Sequence, residues 1–515
     1  MTPPDFVAYK GRWAVLAVFS SLGCLQCIVW GTYGPISTCV DRIYGWDKST
    51  VTTFSIFGPA VFIPCSFFVS WLARTRGLRY TMLIGAAMLL VGTAARLFSL
   101  HEPMAFPLVV VCQLLASATG PVVLVLPPKL SSTWFPQEER TTATAIASLA
   151  NSLGGAVLFI LGPGMIHGCD SLPRAASPAD PAIVSARSQL RHLYFVQFGW
   201  ALATVLAAMA YFPDAPPTPP SGTAPTTASR AGITNSITIS TASCAVARVG
   251  GGITGRSTGM DEDTARDALL PPVASDDAVH HNVDGATVGS KALPTGPVGL
   301  LVGVGGVEGF IAGFRAAMMR PAYVALVIAF GTSAGVFSCW SNLLSLVLGP
   351  LGYGESDCAW LGFSSTIASV VGGVVVARVA DRLQRQHVLL VIAAFVGASI
   401  AFVWFALAVQ RSIGTSLTAL YVACSLGGMF LAAAQPLAYE LAIEVTYPVP
   451  EETSANLLVN VYNVGSLVAI LATKSVSGAP TWMNWVLAAS CAGCGLLICA
   501  SRRGLSDYRR VSASQ

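Results

Sequence analysis

Charge is what this 515-residue sequence has least of: Asp, Glu, Lys and Arg make up 10% of it, where a soluble chain carries about a quarter. That shortfall excludes a surface turned mostly to water. With 54% hydrophobic residues, it points to a bilayer. The net charge of +4 is small and scattered, so no nucleic-acid partner is expected. There is no GxxxxGK[ST] run, which excludes a phosphate-loop ATPase and leaves an ion gradient or exchange as the drive for uphill transport. No CxxC…CxxC or HxxxH spacing argues for a metal, and no cofactor is expected. No nucleophile–base constellation argues for an enzyme. The 13 cysteines sit mostly in apolar runs, as Cys24, Cys27, Cys112 and Cys494 do, and read as packing residues rather than a disulfide framework. No histidine falls in the middle of an apolar run; His101, His167, His192 and His387 lie at ends or in loops. A mid-membrane histidine proton carrier is therefore not encoded. The loops expected on the far side of the membrane from the termini contain no Asn-x-Ser/Thr. A cleavable leader is not expected either, because polar Met1–Lys10 runs directly into an apolar stretch too long for one.

What the sequence does have is apolar runs of spanning length. A membrane helix needs roughly 20 mostly apolar residues. Such runs cover residues 12–36, 49–73, 78–98, 106–128, 140–163 and 192–211, then 322–348, 358–380, 388–409, 416–438, 454–472 and 482–500. This predicts an all-α membrane protein of 12 helices. Residues 1–211 form one six-helix bundle, 321–501 form a second, and 502–515 are a tail. Between the bundles, 212–320 is rich in Pro, Gly, Ser and Thr and is expected to be largely disordered. Its last part, Val298–Met319, is apolar and glycine-rich, and reads either as an interfacial segment or as a loose linker. Most Lys and Arg fall on the side of the termini, even with the central segment set aside. The positive-inside rule then places both termini and the central segment in the cytosol.

The two halves repeat. Pro136, Glu139, Thr141, Ala143 and Asn151 match Pro448, Glu451, Thr453, Ala455 and Asn463 at one constant offset, each set leading into the fifth span of its half. Basic turns also follow the second and eighth spans, as ARTRGLR and ARVADRLQR. Parallel six-helix repeats with a site between them near mid-membrane describe the major facilitator fold. Asp381 and Arg382 keep the acid–base pair expected of a latch between the bundles, while the first half has Arg74 where its acid should be.

Polar and aromatic residues inside spans are costly unless they face the bundle interior, which makes them candidates for binding the solute. The first span offers Gln26, Trp30 and Tyr33, with Gln26 and Trp30 on one helical face. The fourth and fifth offer Gln113, Asn151 and Ser152; the seventh Phe337, Ser338 and Trp340; the tenth Gln435. In the eleventh, Asn456, Asn460 and Asn463 form one polar stripe, with Tyr462 beside it. The expected cavity is lined by Trp30, Asn151, Trp340 and Asn463 and suits a flat molecule that is polar or cationic. Two alternatives stay open: the tryptophans can be packing residues, and the asparagine stripe can bind helix to helix. Glu440 and Glu444 share a face near the end of the tenth span and read either as proton carriers or as a cytosolic gate, the gate being favoured.

LSSTWFPQEERTTATAIASLANSLGG (Leu130–Gly155) and YELAIEVTYPVPEE (Tyr439–Glu452) resemble the feline leukaemia virus subgroup C receptor family of major facilitators, with further likeness in VWGTYGPI, FGPAVFIPC, RGLR and GVFSCWS. The match runs along both bundles, fails across 213–315 and is closest to the lysosomal branch of that family. The resemblance implies an aromatic from span one, another from span seven and glutamines from spans five and eleven around a quaternary ammonium in the choline-transporting members. Trp30 matches the first aromatic, but the other positions read Ser338, Ser152 and Asn463, departures that argue against choline. For the lysosomal branch it implies proton-driven export of pyridoxine, with protons and a small molecule as partners. Leu269–Leu270 after acidic residues, or Tyr508 in a Tyr-x-x-apolar pattern, would then engage sorting adaptors. The competing expectations are a choline or ethanolamine facilitator at the plasma membrane and a transporter-like receptor.

Overall fold

A computed structural model describes residues 9–46, 48–99, 104–166, 180–218, 307–342, 344–348, 352–353, 355–383, 386–410, 416–475 and 481–505. Leu269, Leu270 and Tyr508 lie outside these residues, as does most of the central segment. The first half contains α1 (Arg12–Gly31), α2 (Ser37–Tyr44), α3 (Lys48–Thr75), α4 (Leu78–Leu97), α5 (Ala105–Val125), α6 (Pro127–Trp134), α7 (Arg140–Met165) and α8 (Pro181–Tyr211). The second contains α9 (Val307–Met318), α10 (Pro321–Asn342), α11 (Leu344–Leu348), α12 (Glu355–Arg382), α13 (His387–Val409), α14 (Leu417–Thr446), α15 (Glu451–Ser475) and α16 (Trp482–Ala500). Among the described residues 12 helices are long and apolar enough to cross a membrane, six in each half.

Local chemistry explains where the helices depart from the expected spans. The first ends at Gly31 rather than residue 36, because Gly34–Pro35 cannot continue it; α2 follows as a separate short helix. The fourth stops at Val125, and Pro127–Pro128 start α6 at positions where a missing N–H costs nothing. The tenth runs on to Thr446, so Glu440 and Glu444 lie within its last turns. The apolar end of the central segment forms α9, whose Gly313 faces Val449 and whose Phe314 meets Phe67 edge-on. Cys39 of α2 is disulfide-bonded to a partner outside the described residues, a correction to its reading as a packing cysteine. The cysteines named earlier, Cys24, Cys27, Cys112 and Cys494, are free thiols.

Each bundle is tied by a close helix crossing. A Cβ on Gly154 of α7 would fall 2.1 Å from the Cys24 carbonyl oxygen of α1. On the other side, a Cβ on Gly335 of α10 would fall 2.7 Å from the Tyr462 carbonyl oxygen of α15. Small residues let helix backbones approach this closely in lipid, where apolar burial does not drive association. The bundles meet along α7 with α12 and along α3 with α15.

Candidate functional site

Trp30 sits in the last turn of α1, half-buried, with its indole flat against α3: a Cβ on Gly58 would come within 2.8 Å of Nε1. Two side chains hold the backbone there. Gln113 of α5 donates through Nε2 to the Trp30 carbonyl at 3.1 Å. Arg96 of α4 donates through Nη2 to the Val29 carbonyl at 2.9 Å. The last carbonyls of a helix have no partner within it, and a cation suits the negative end of the helix dipole. One turn earlier, Gln26 donates to the Ala116 carbonyl at 2.9 Å and accepts from Asn151 Nδ2 at 2.7 Å. Asn151 also donates to the Gly23 carbonyl at 3.0 Å. Gln26 and Asn151 are thus brought together, with Ser152 half-buried beside them on α7.

Arg96 was not singled out from the sequence, although a lone charge inside a span was the signal. It is fully buried, and its charge is spread over neutral acceptors: Gln197 Oε1 at 2.7 Å, Thr32 Oγ1 at 3.1 Å and the faces of Tyr33 and Tyr194 at 5.1 and 5.2 Å. This network corrects the reading of Tyr33. Its hydroxyl pairs with that of Tyr194 at 2.9 Å, and the ring is sealed inside the first bundle rather than lining a cavity.

The second bundle is arranged differently. Trp340 is 1% exposed, packs among Phe337, Phe402 and Phe405, and donates Nε1 to Asn484 Oδ1 at 2.7 Å. Its expected place in the cavity wall is therefore corrected: it is a core residue with its polar atom satisfied. Ser338 and Tyr462 are half-buried and joined at 3.2 Å, and Tyr462 lies within electrostatic range of Cys27 on α1. Asn463 turns one amide hydrogen back to the Val459 carbonyl at 2.9 Å. Gln435 is half-buried and bonds the Tyr439 side chain. Of the residues expected to line a cavity, Gln26 and Asn151 are thus joined within the first half, and Ser338 and Tyr462 within the second.

Towards the side where α1 begins and α16 ends, the bundles are locked together. Asp381, at the end of α12, accepts from the backbone N–H groups of Thr141 and Thr142 at 3.0 and 2.9 Å and from the Thr142 hydroxyl. A carboxylate of one bundle thereby caps the N-terminus of α7 in the other, where free N–H groups and the helix dipole favour an anion. Arg382 is exposed beside it. Glu440 accepts from Thr144 at 3.2 Å and faces Arg140, with Glu444 and Asp381 as acidic neighbours. In the first half, where Arg74 replaces the acid, Lys129 of α6 pairs with Glu452 of α15 at 3.2 Å, both nearly sealed. The asparagine stripe completes the seam: Asn456 donates to Ser70 Oγ at 2.8 Å and Asn460 to Ser66 Oγ at 2.9 Å. Asn460 therefore binds helix to helix, the second of the two readings its spacing allowed.

The sequence profile of the Major Facilitator Superfamily matches residues 19–468. The chain belongs to the major facilitator superfamily. Among curated major facilitators, it is 27% identical to the solute carrier family 49 member 4 homolog of Xenopus tropicalis over 93% of this chain and 88% of the relative. It is 24% identical to the choline/ethanolamine transporter flvcr2b of Danio rerio over 89% and 76% of the two chains. These relatives bear out the resemblance to the feline leukaemia virus subgroup C receptor family. Among solved structures, the fold is similar to the major facilitator FucP in its outward conformation, with a TM-score of 0.60 at 12% identity covering 96% and 99% of the chains. It is also similar to the human organic anion transporter MFSD10, with a TM-score of 0.56 at 13% identity covering 95% and 99%. As a major facilitator the chain is a multi-pass transporter of small molecules and not an enzyme.

Proposed function

We propose that this major facilitator moves pyridoxine out of lysosomes together with protons, by alternating access of the two bundles to a site at Trp30. The carrying observation is the indole held at the end of α1 against Gly58, beside a hydrogen-bonded Gln26–Asn151 pair; Ser338, Tyr462 and Asn463 are the groups the second half would contribute. A flat face with amide and hydroxyl groups around it suits an aromatic ring bearing hydroxyls. Lysosomal placement rests on the resemblance to the "disrupted in renal carcinoma 2" branch. The locked side is taken as cytosolic, which agrees with its excess of Lys and Arg and with an oxidised Cys39 at the opposite end of α1. On this reading the solute enters from the lumen. Glu440, beside Arg140, Glu444 and Asp381 at the seam, serves on this reading as part of the cytosolic gate.

A choline or ethanolamine facilitator is the second reading, favoured by the similarity to the choline/ethanolamine transporter of Danio rerio. Uptake of labelled pyridoxine and labelled choline, in cells bearing the protein at the surface, separates the two. Pyridoxine uptake that rises in acidic medium and collapses with a protonophore is expected. Choline uptake indifferent to pH would move the protein to the second reading. Surface-expressed protein that moves neither would defeat both.

A further inference from the structure

Three polar atoms of α1 and α5 have no hydrogen-bond partner among the described residues and are sealed from solvent: Trp30 Nε1, Gln113 Oε1 and Ser117 Oγ. Such atoms are rare in protein interiors, because an unpaired buried donor or acceptor forfeits its hydration. Their placement is not random. Gln113 and Ser117 are one turn apart on α5 and share a face. Helices α1 and α5 are pinned in register by Gln113 at the Trp30 carbonyl and by Gln26 at the Ala116 carbonyl, so these two side chains stand at the level of α1 that runs from Trp30 back to Gln26. On α3, Gly58 underlies the indole nitrogen, and Phe62, one turn on, closes against Gly120 of α5. The three helices make a corner with one obligate donor, one obligate acceptor and one hydroxyl that can do either.

We infer that this corner is a subsite for a hydroxyl group of the transported solute, with Gln113 and Ser117 as its specificity-determining residues. A hydroxyl accepts from the Trp30 N–H and donates to the Gln113 carbonyl oxygen or to Ser117; an ammonium or a methyl group cannot do both. The inference rests on the solute being bound at Trp30, but not on which solute it is. It says that the site selects for an alcohol or phenol-like group, and that α5, not only α1 and α7, reads the ligand.

The test uses matched pairs that differ by one hydroxyl, pyridoxine with 4-deoxypyridoxine and choline with ethyltrimethylammonium, in surface-expressing cells. The native chain is expected to favour the hydroxylated member of its pair by about tenfold or more in uptake efficiency, since a site built to bond a hydroxyl rejects the analogue lacking it. Ser117→Ala breaks no hydrogen bond named within the protein. It is expected to raise KM for the hydroxylated member and flatten the preference, with surface level unchanged. Gln113→Met is expected to flatten it further and to slow transport as well, because Gln113 also holds the Trp30 carbonyl. A native chain that takes both members equally, or a Ser117→Ala chain with its preference intact, overturns the subsite while leaving the transport reading in place. A native chain that moves neither pair removes the reading and the subsite with it.

Discussion

The two bundles each carry a tryptophan in the last turn of their first spanning helix, and the contrast between them is instructive. Trp340 is enclosed by three phenylalanines, and Asn484 takes its N–H; nothing on it is left to offer a solute. Trp30 is half-buried and lies over a glycine, with its N–H unpaired. The difference lies in the neighbours and not in the residue type. The repeat in sequence has therefore diverged in its tryptophans, one left with a free N–H among the described residues and the other sealed into a core. The seam shows the same divergence. One half uses Asp381 to cap α7, and the other uses a Lys129–Glu452 pair where its latch acid has been lost to Arg74.

Five substitutions sharpen these contrasts. Trp30→Ala is expected to abolish uptake with surface expression unchanged, whereas Trp340→Ala should lower expression first. Wild-type uptake by the Trp30 variant would remove that residue from the site. Lys129→Met strands a buried carboxylate and is expected to weaken the closed seam by about 3–5 kcal/mol. Spin labels on the two bundles at the locked side would report this as a population of longer distances, and unchanged distances would reduce the pair to a bystander. Trp340→Phe leaves Asn484 without its donor and should cost about 1–3 kcal/mol of stability, read as a lower melting temperature in detergent. Its KM should stay as in the native chain; a raised KM would return Trp340 to the binding site. Asp381→Ala, which deletes one helix cap, should cost about 1 kcal/mol of seam closure by the same distance measurement. An effect as large as that of Lys129→Met would show the two halves of the seam to be equivalent after all.

The architecture was legible because a membrane leaves few options: apolar runs of the right length must be helices, and a repeat with a constant offset must be a pair of bundles. Gln26, Trp30 and Asn151 stood out for a related reason, being polar or aromatic groups at positions where exposure to lipid is costly, and Asp381 as the acid of the turn after the eighth span. Which way a side chain turns was not. Tyr33 and Trp340 have the same composition signal as Trp30, yet face inward to Tyr194 and Asn484, partners more than a hundred residues away in the chain. Lys129 was hidden for another reason. It lies in a loop by hydropathy and finds Glu452 only once α6 and α15 are packed together.

The glycine crossings carry a mechanical consequence. With Gly154 seated on the Cys24 carbonyl oxygen and Gly335 on that of Tyr462, neither α1 against α7 nor α10 against α15 has slack in which to slide. Each bundle is therefore a stiff lever. A small displacement at the Asp381 and Lys129 contacts cannot be absorbed inside a bundle, and it arrives at the level of Trp30 as a change in the gap between the two walls.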